Sequence, residues 1–170
     1  MLNVALALAS VALCADPTLR EDPTLHDHRI RAACVSSLSE FEGFSPVPYF
    51  CPRGYLTIGY GRRLGSEYIA HAPVDREQAY RMLWEDVEKA EEGARRVYPD
   101  FDTFPAPARE ALIHMAFQLG STGLSKFVKL KKAVEHRKWK DAGSECLQSH
   151  WQKQTPKRAV YCAKLFGGIK

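Results

Sequence analysis

The sequence has no CxxC pair, no zinc-finger spacing, no aromatic RNA-binding signature and no apolar run of the roughly 20 residues that a membrane-spanning helix needs. Each absence removes a class of protein. The five cysteines, Cys14, Cys34, Cys51, Cys146 and Cys162, are too widely spaced for a structural zinc site, and no metal or organic cofactor is implied. Basic residues scatter along the chain instead of gathering in one stripe, which argues against a nucleic-acid partner. Residues 1–15, MLNVALALASVALCA, are apolar apart from Asn3 and Ser10, yet no Lys or Arg precedes them, so they make a poor signal peptide. Two readings of this stretch stand level: an export or anchor element with transient inner-membrane contact, or a helix packed on the body of the protein.

What is present suffices for a folded body. The chain has 170 residues, 45% of them hydrophobic, which bounds it to one domain or two closely joined lobes. A net charge of +4 suits a polyanionic partner without distinguishing nucleic acid, acidic lipid and bacterial cell wall. An odd number of cysteines leaves at least one thiol unpaired. In an oxidising compartment two bridges and one working thiol fit the count, and in a reducing one all five are thiols.

The segment ADPTLREDPTLHD repeats DPTL, and its prolines and aspartates read as a turn-rich linker over residues 16–28. From Arg29 to Phe41, Ile30, Ala33, Cys34, Leu38 and Phe41 recur at helical spacing, with Gly43 as the stop beside Glu42. Then PYFCPRGYLTIGYG puts strand formers on both sides of Pro52-Arg53-Gly54, a hairpin pattern. Over residues 76–98, Ala79, Met82, Leu83, Val87, Ala90, Ala94 and Val97 form one face of a helix about 30 Å long, enough to join two lobes. Beyond Pro99 the pattern is helical. Ala108 to Leu119 form a stripe stopped by Gly120, Leu124 to Val134 form the next, and a final helix is announced by Thr155-Pro156 and closed by Gly167-Gly168. The fold class is therefore α+β and mainly helical, with a hairpin lobe over residues 29–75, a connecting helix, and a helical lobe over residues 99–170.

Glu42, at a helix end between Phe41 and Gly43, suits a general acid, because apolar neighbours raise a carboxyl's pKa; alone, it reads equally as a solvated charge. Cys51 follows nine residues later on the first hairpin strand and Thr57 six further on the second. Together, EGFSPVPYFCPRGYLTIGYG resembles the phage lysozyme family, in which Glu, then Asp or Cys, then Thr recur at these intervals in a Glu-Gly...Thr-Ile-Gly-Tyr-Gly frame. A second resemblance covers REALIHMAFQLGSTGLSKF and HWQKQTPKRA, similar to the C-terminal lobe of that family.

The resemblance implies a lysozyme-like two-lobe fold and a cleft that takes the glycan strand of peptidoglycan. It implies Glu42 as acid, with Cys51 and Thr57 handling the attacking water and inverting the anomeric centre. Phe117 and Gln118 would line the cleft, and Trp151 and Arg158 would lie in the helical lobe; Phe117 and Trp151 read equally as core aromatics. Arg62 and Arg63 stand where many members have histidine, so a different local ion pair is expected at that place. Leu130 and Glu145 replace polar groups found along the cleft in some relatives. The activity implied is cleavage of the β-1,4 bond between N-acetylmuramic acid and N-acetylglucosamine by a monomeric endolysin, with a lytic transglycosylase or a non-catalytic wall-binding or membrane-disrupting protein as rivals.

Some secreted signal-anchor-release endolysins similar to this chain hold their catalytic cysteine in a disulfide until a membrane-segment cysteine exchanges with it. Cys14, Cys34 and Cys51 are the residues such a switch would use, and Cys146 and Cys162 the pair left for a structural bridge. Against it, Cys34 lies about 12 Å along the helix from Glu42, so a bond to Cys51 would distort the site. The other reading makes Cys34 a buried thiol and Cys146 and Cys162 core residues or a local bridge. Export to the host periplasm, or retention in the cytoplasm until a holin opens the membrane, are the two routes to the wall.

Overall fold

The computed structural model describes residues 23–65 and 72–169. Helix α1 (Pro23–Glu42) leads into a three-stranded antiparallel sheet of β1 (Ser45–Phe50), β2 (Leu56–Gly59) and β3 (Arg62–Arg63), in that spatial order. Helix α2 (Arg76–Val97) carries the chain to the helical lobe. There α3 (Ala106–Ser125), α4 (Val128–Glu135), α5 (Trp139–Gln148), α6 (His150–Gln154) and α7 (Pro156–Gly167) pack around one core.

Helix α1 starts earlier than the periodicity predicts, taking in residues 23–28 that composition assigns to a linker. The reason is tertiary. Asp27 in its first turns binds Arg109 of α3 at 2.6 Å, and Arg31 binds Glu91 of α2 at 2.6 Å. Glu91 and Arg109 are almost wholly buried and also pair with each other at 3.1 Å, so an ionic clasp holds α1 to both neighbours. Ile30, Cys34 and Leu38 form the buried face of α1, while Ala33 is exposed.

The hairpin forms as its composition predicts, with Tyr49 opposite Thr57 and Phe50 opposite Leu56. Cys51 sits one residue beyond β1, at the start of the turn, where its N–H donates to the Tyr55 carbonyl. Strand β3, which no pattern predicted, sets Arg63 opposite Thr57. Helix α2 begins with a reciprocal capping box between Asp75 and Gln78, and buries Ala79, Leu83, Val87, Ala90, Ala94 and Val97. Spanning 22 residues, it crosses about 33 Å and links the lobes.

In α3 the helical run is broken at Gly120, at φ 68° and ψ 170°, where the sequence places its stop. Helix α5 escapes sequence reading because Gly143 sits in its middle. Tertiary packing explains the glycine: a Cβ there would lie 2.9 Å from the Ala163 carbonyl oxygen of α7. The hydroxyl of Thr155 does not cap α7. It donates instead to the Trp151 carbonyl, and only Pro156 keeps its expected place in the first turn.

The cysteines correct one expectation. Cys34, Cys51, Cys146 and Cys162 are all free thiols; the first, third and fourth are fully buried core residues. Burial pushes the Cys146 thiol up to about 12, with the Glu145 charge adding to it, so it stays protonated. The bridge between Cys146 and Cys162 and the link between Cys34 and Cys51 are both absent. Cys14 and residues 1–15 lie outside the described residues.

Candidate active site

The end of α1 and the hairpin converge on a cleft of about 820 Å³ that is closed on its far side by α3 and the start of α7. Glu42, Cys51 and Thr57 all line it, together with Phe117, Gln118 and Arg158. Every side chain that the sequence proposes for catalysis or cleft binding therefore faces one solvent-accessible space. Trp151 is placed behind it, buried, donating its indole N–H to the Gln118 side-chain oxygen at 3.0 Å.

Glu42 is not walled by apolar groups alone. An Arg158 Nη donates to its Oε1 at 2.6 Å, and the guanidinium lies over the Phe41 ring at 5.1 Å. Arg158 is almost fully buried and also reaches the Gln118 oxygen at 3.3 Å, so that oxygen is taken twice and the amide NH₂ is what Gln118 offers a ligand. Gly61 explains the last turn of the frame. At φ 85°, a Cβ would stand 3.0 Å from Glu42 Oε2, pressing on the carboxylate.

Tyr49, Thr57 and Arg63 form one row across the sheet, because partners directly opposite each other share a face. Thr57 is buried and donates to the Tyr55 carbonyl at 2.9 Å, leaving its oxygen lone pairs for a water. Partial desolvation raises the Cys51 thiol, but backbone groups of Tyr55 and Arg53, the Thr57 hydroxyl and the Arg63 charge outweigh it. The net effect holds the thiol below its ordinary value, toward the thiolate that a water-activating base requires.

Behind Glu42 lies a buried polar layer. Ser37 Oγ lies 2.9 Å from the Ala33 carbonyl oxygen and shares a hydrogen bond with His114 Nε2 at 2.8 Å, while His114 Nδ1 has no protein partner. His114 stacks at a tilt on Tyr161, 5.0 Å away, and Tyr161 donates to Glu110.

Residues 39–162 match the phage lysozyme family. The chain belongs to that family. Among its relatives, "Probable T4-type lysozyme 2" of Dictyostelium discoideum is 39% identical over 66 residues, which is 39% of each chain. "Probable T4-type lysozyme 1" of the same organism is 33% identical over 63 residues, covering 37% of this chain and 35% of the relative. The chain thus spans under two fifths of the curated relatives it matches.

Against the family pattern, the ion pair expected at the histidine position is found. Arg62 donates to both Asp86 oxygens at 2.8 Å and to Glu85 at 3.0 Å, pinning the end of the sheet to α2. Leu130 and Glu145 do not line the cleft: Leu130 is core, and Glu145 borders a separate surface hollow beside Lys132 and Asp141. Tyr49 is a cleft residue that sequence reasoning missed, although its i,i+2 relation to Cys51 was the available sign. The contact of Arg158 with Glu42 joins positions 116 residues apart, and nothing local foretells it. Among the described residues no cluster of three or more His, Cys, Asp or Glu side chains is arranged to hold a metal ion.

Proposed function

We propose that this chain hydrolyses the glycan strands of bacterial peptidoglycan, cutting the β-1,4 bond between N-acetylmuramic acid and N-acetylglucosamine. One observation carries the reading: a carboxyl, a thiol and a hydroxyl from the end of a helix and its neighbouring hairpin line one cleft of about 820 Å³. Glu42 protonates the leaving glycosidic oxygen, while Arg158 orients its carboxyl and separates it from the core. Cys51, as thiolate, draws a proton from a water that Thr57 holds, and the water attacks the face opposite the leaving group. The expected outcome is inversion. Phe117 and the Gln118 amide supply an apolar surface and a hydrogen-bond donor to the sugar.

The biological role that fits is host-cell lysis by a monomeric endolysin. Residues 1–15 serve as the export and tethering segment, with holin-dependent release as the alternative route. Fractionation of expressing cells into cytoplasm, membrane and periplasm separates the two.

Two measurements test the chemistry. Glu42→Gln should abolish release of reducing sugar from purified peptidoglycan while circular dichroism and melting temperature stay close to wild type. Undiminished lysis by that variant would establish a non-catalytic wall-binding or membrane-disrupting protein. Mass analysis of the wild-type products should show reducing muramic ends; 1,6-anhydro ends would instead assign a lytic transglycosylase.

A further inference from the structure

The two neighbouring cations of β3 have different surroundings. Arg62 is committed to Asp86 and Glu85, whereas Arg63 has no carboxylate partner among the described residues and lays its guanidinium over the Tyr55 ring, 3.3 Å from the centroid. Its register opposite Thr57 puts Arg63 on the cleft face of the sheet, where it lines the same space as Cys51. Tyr55 is the hub of this corner. Its carbonyl oxygen accepts from the Cys51 N–H and from the Thr57 hydroxyl, each at 2.9 Å, while its ring carries Arg63. One residue thus fixes the turn that holds the thiol, the hydroxyl assigned to the water, and a cation in the same wall.

A thiol in this place needs such a cation where a carboxylate would not. Free cysteine is mostly protonated at neutral pH, and a nearby positive charge is one of the few devices that favour its thiolate. The other charged or titratable groups of the cleft do not serve. Glu42, at the end of α1, opposes a second negative charge, and Tyr49 of β1 stays neutral because burial and the Glu42 and Cys51 charges all hold its proton. Arg158 is bound to Glu42, Lys157 stands across the cleft at the start of α7, and Arg53 supports the thiol through its backbone. Arg63 is the cation left to act on Cys51 through its charge.

We propose that Arg63, held on the Tyr55 ring, is the positioning residue that keeps Cys51 ionised as the water-activating base. The proposal rests on the hydrolase reading above and says how a thiol works at a place where the family pattern also allows aspartate. Because Arg63 is exposed, its influence should fade as salt is added.

The test uses the full chain carrying Arg63→Gln, Arg63→Lys or Tyr55→Leu, at low ionic strength. Two readouts are taken against pH: kcat/KM on purified peptidoglycan, and the rate at which iodoacetamide alkylates Cys51, followed by peptide mass analysis. Alkylation reports the thiolate whether or not the enzyme is active. Arg63→Gln should move the acid limb of kcat/KM and the alkylation curve together to higher pH, by about half a unit or more. Arg63→Lys, which keeps the charge, should stay near wild type, and Tyr55→Leu, which frees the guanidinium, should fall between the two. The same substitution is then made beside Cys51→Asp, whose carboxylate ionises below neutral pH without help. At pH 7, Arg63→Gln should lower kcat/KM by about threefold or more with Cys51 present and by far less with Asp in its place. An alkylation curve that Arg63→Gln leaves unmoved overturns the proposal, and so does an equal loss of kcat/KM in both backgrounds, which would mean that Arg63 serves the substrate or the fold. Should the wild-type protein cut no glycan while its Cys51 alkylation curve still moves with Arg63, the hydrolase reading fails and the pairing of cation and thiol stands.

Discussion

His114 sits behind the candidate acid, and its burial, with the Arg158 charge adding, pushes it down to about 3. An imidazole in the unfolded chain takes up its proton near 6.5. Between those values the unfolded state binds one more proton than the folded one. The contribution of His114 is therefore complete above about pH 6.5 and is lost as pH falls toward 3, at about 1.4 kcal/mol per pH unit. Urea stability measured from pH 7 to pH 4 should fall more steeply for wild type than for His114→Gln, and parallel curves would refute the assignment. Taking the difference cancels the separate contribution of Glu110, whose carboxyl is raised by burial and partly restored by the Tyr161 hydrogen bond. Arg158 acts at the same scale but on both stability and activity. Arg158→Met removes charged hydrogen bonds to Glu42 and Gln118, and should cost about 2 kcal/mol in chemical denaturation together with at least about tenfold in kcat. Arg158→Lys keeps the charge but not the fork, and should fall between the two.

At the scale of elements, the position of α1 decides where Glu42 points, and packing alone does not set it. The clasp of Asp27, Arg31, Glu91, Arg95 and Arg109 ties α1 to α2 and α3 at the end of α1 remote from the cleft. Glu91 is fully buried with three guanidinium groups around it. Glu91→Gln leaves those cations facing a neutral amide, and a loss of about 3–5 kcal/mol in urea denaturation is expected. If α1 loosens as a unit, amide exchange should quicken through its first turns before the hairpin is affected. A stability change under 1 kcal/mol, with exchange unaltered, would show that apolar burial of Ile30, Cys34 and Leu38 holds the helix unaided. The clasp also explains why the start of α1 was misread. Its first turns are polar and read PTLHD, so their helicity rests on partners some sixty to eighty residues away that no local pattern reveals.

For the whole molecule, the thiols report the fold directly. Cys34, Cys146 and Cys162 are fully buried, whereas Cys51 borders the cleft. Among the four described cysteines, iodoacetamide at neutral pH should therefore modify Cys51 first in the native protein and reach Cys34, Cys146 and Cys162 only on unfolding, as followed by peptide mass analysis. Early modification of Cys146 or Cys162 would contradict the packing of α5 on α7. Much of this architecture is written in the chain. The period-3.6 stripes of α2 and α3, the stop at Gly120 and the hairpin around Pro52-Arg53-Gly54 follow from local side-chain alternation and turn chemistry, and so does the Glu42, Cys51, Thr57 spacing, because all of these act within one or two turns of backbone. The tertiary structure alone decided the partner of Glu42, the burial of Glu91 and Arg109, the third strand and the helix around Gly143. Those depend on which distant surfaces meet, and desolvation and close packing take their strength from that meeting instead of from neighbours in sequence.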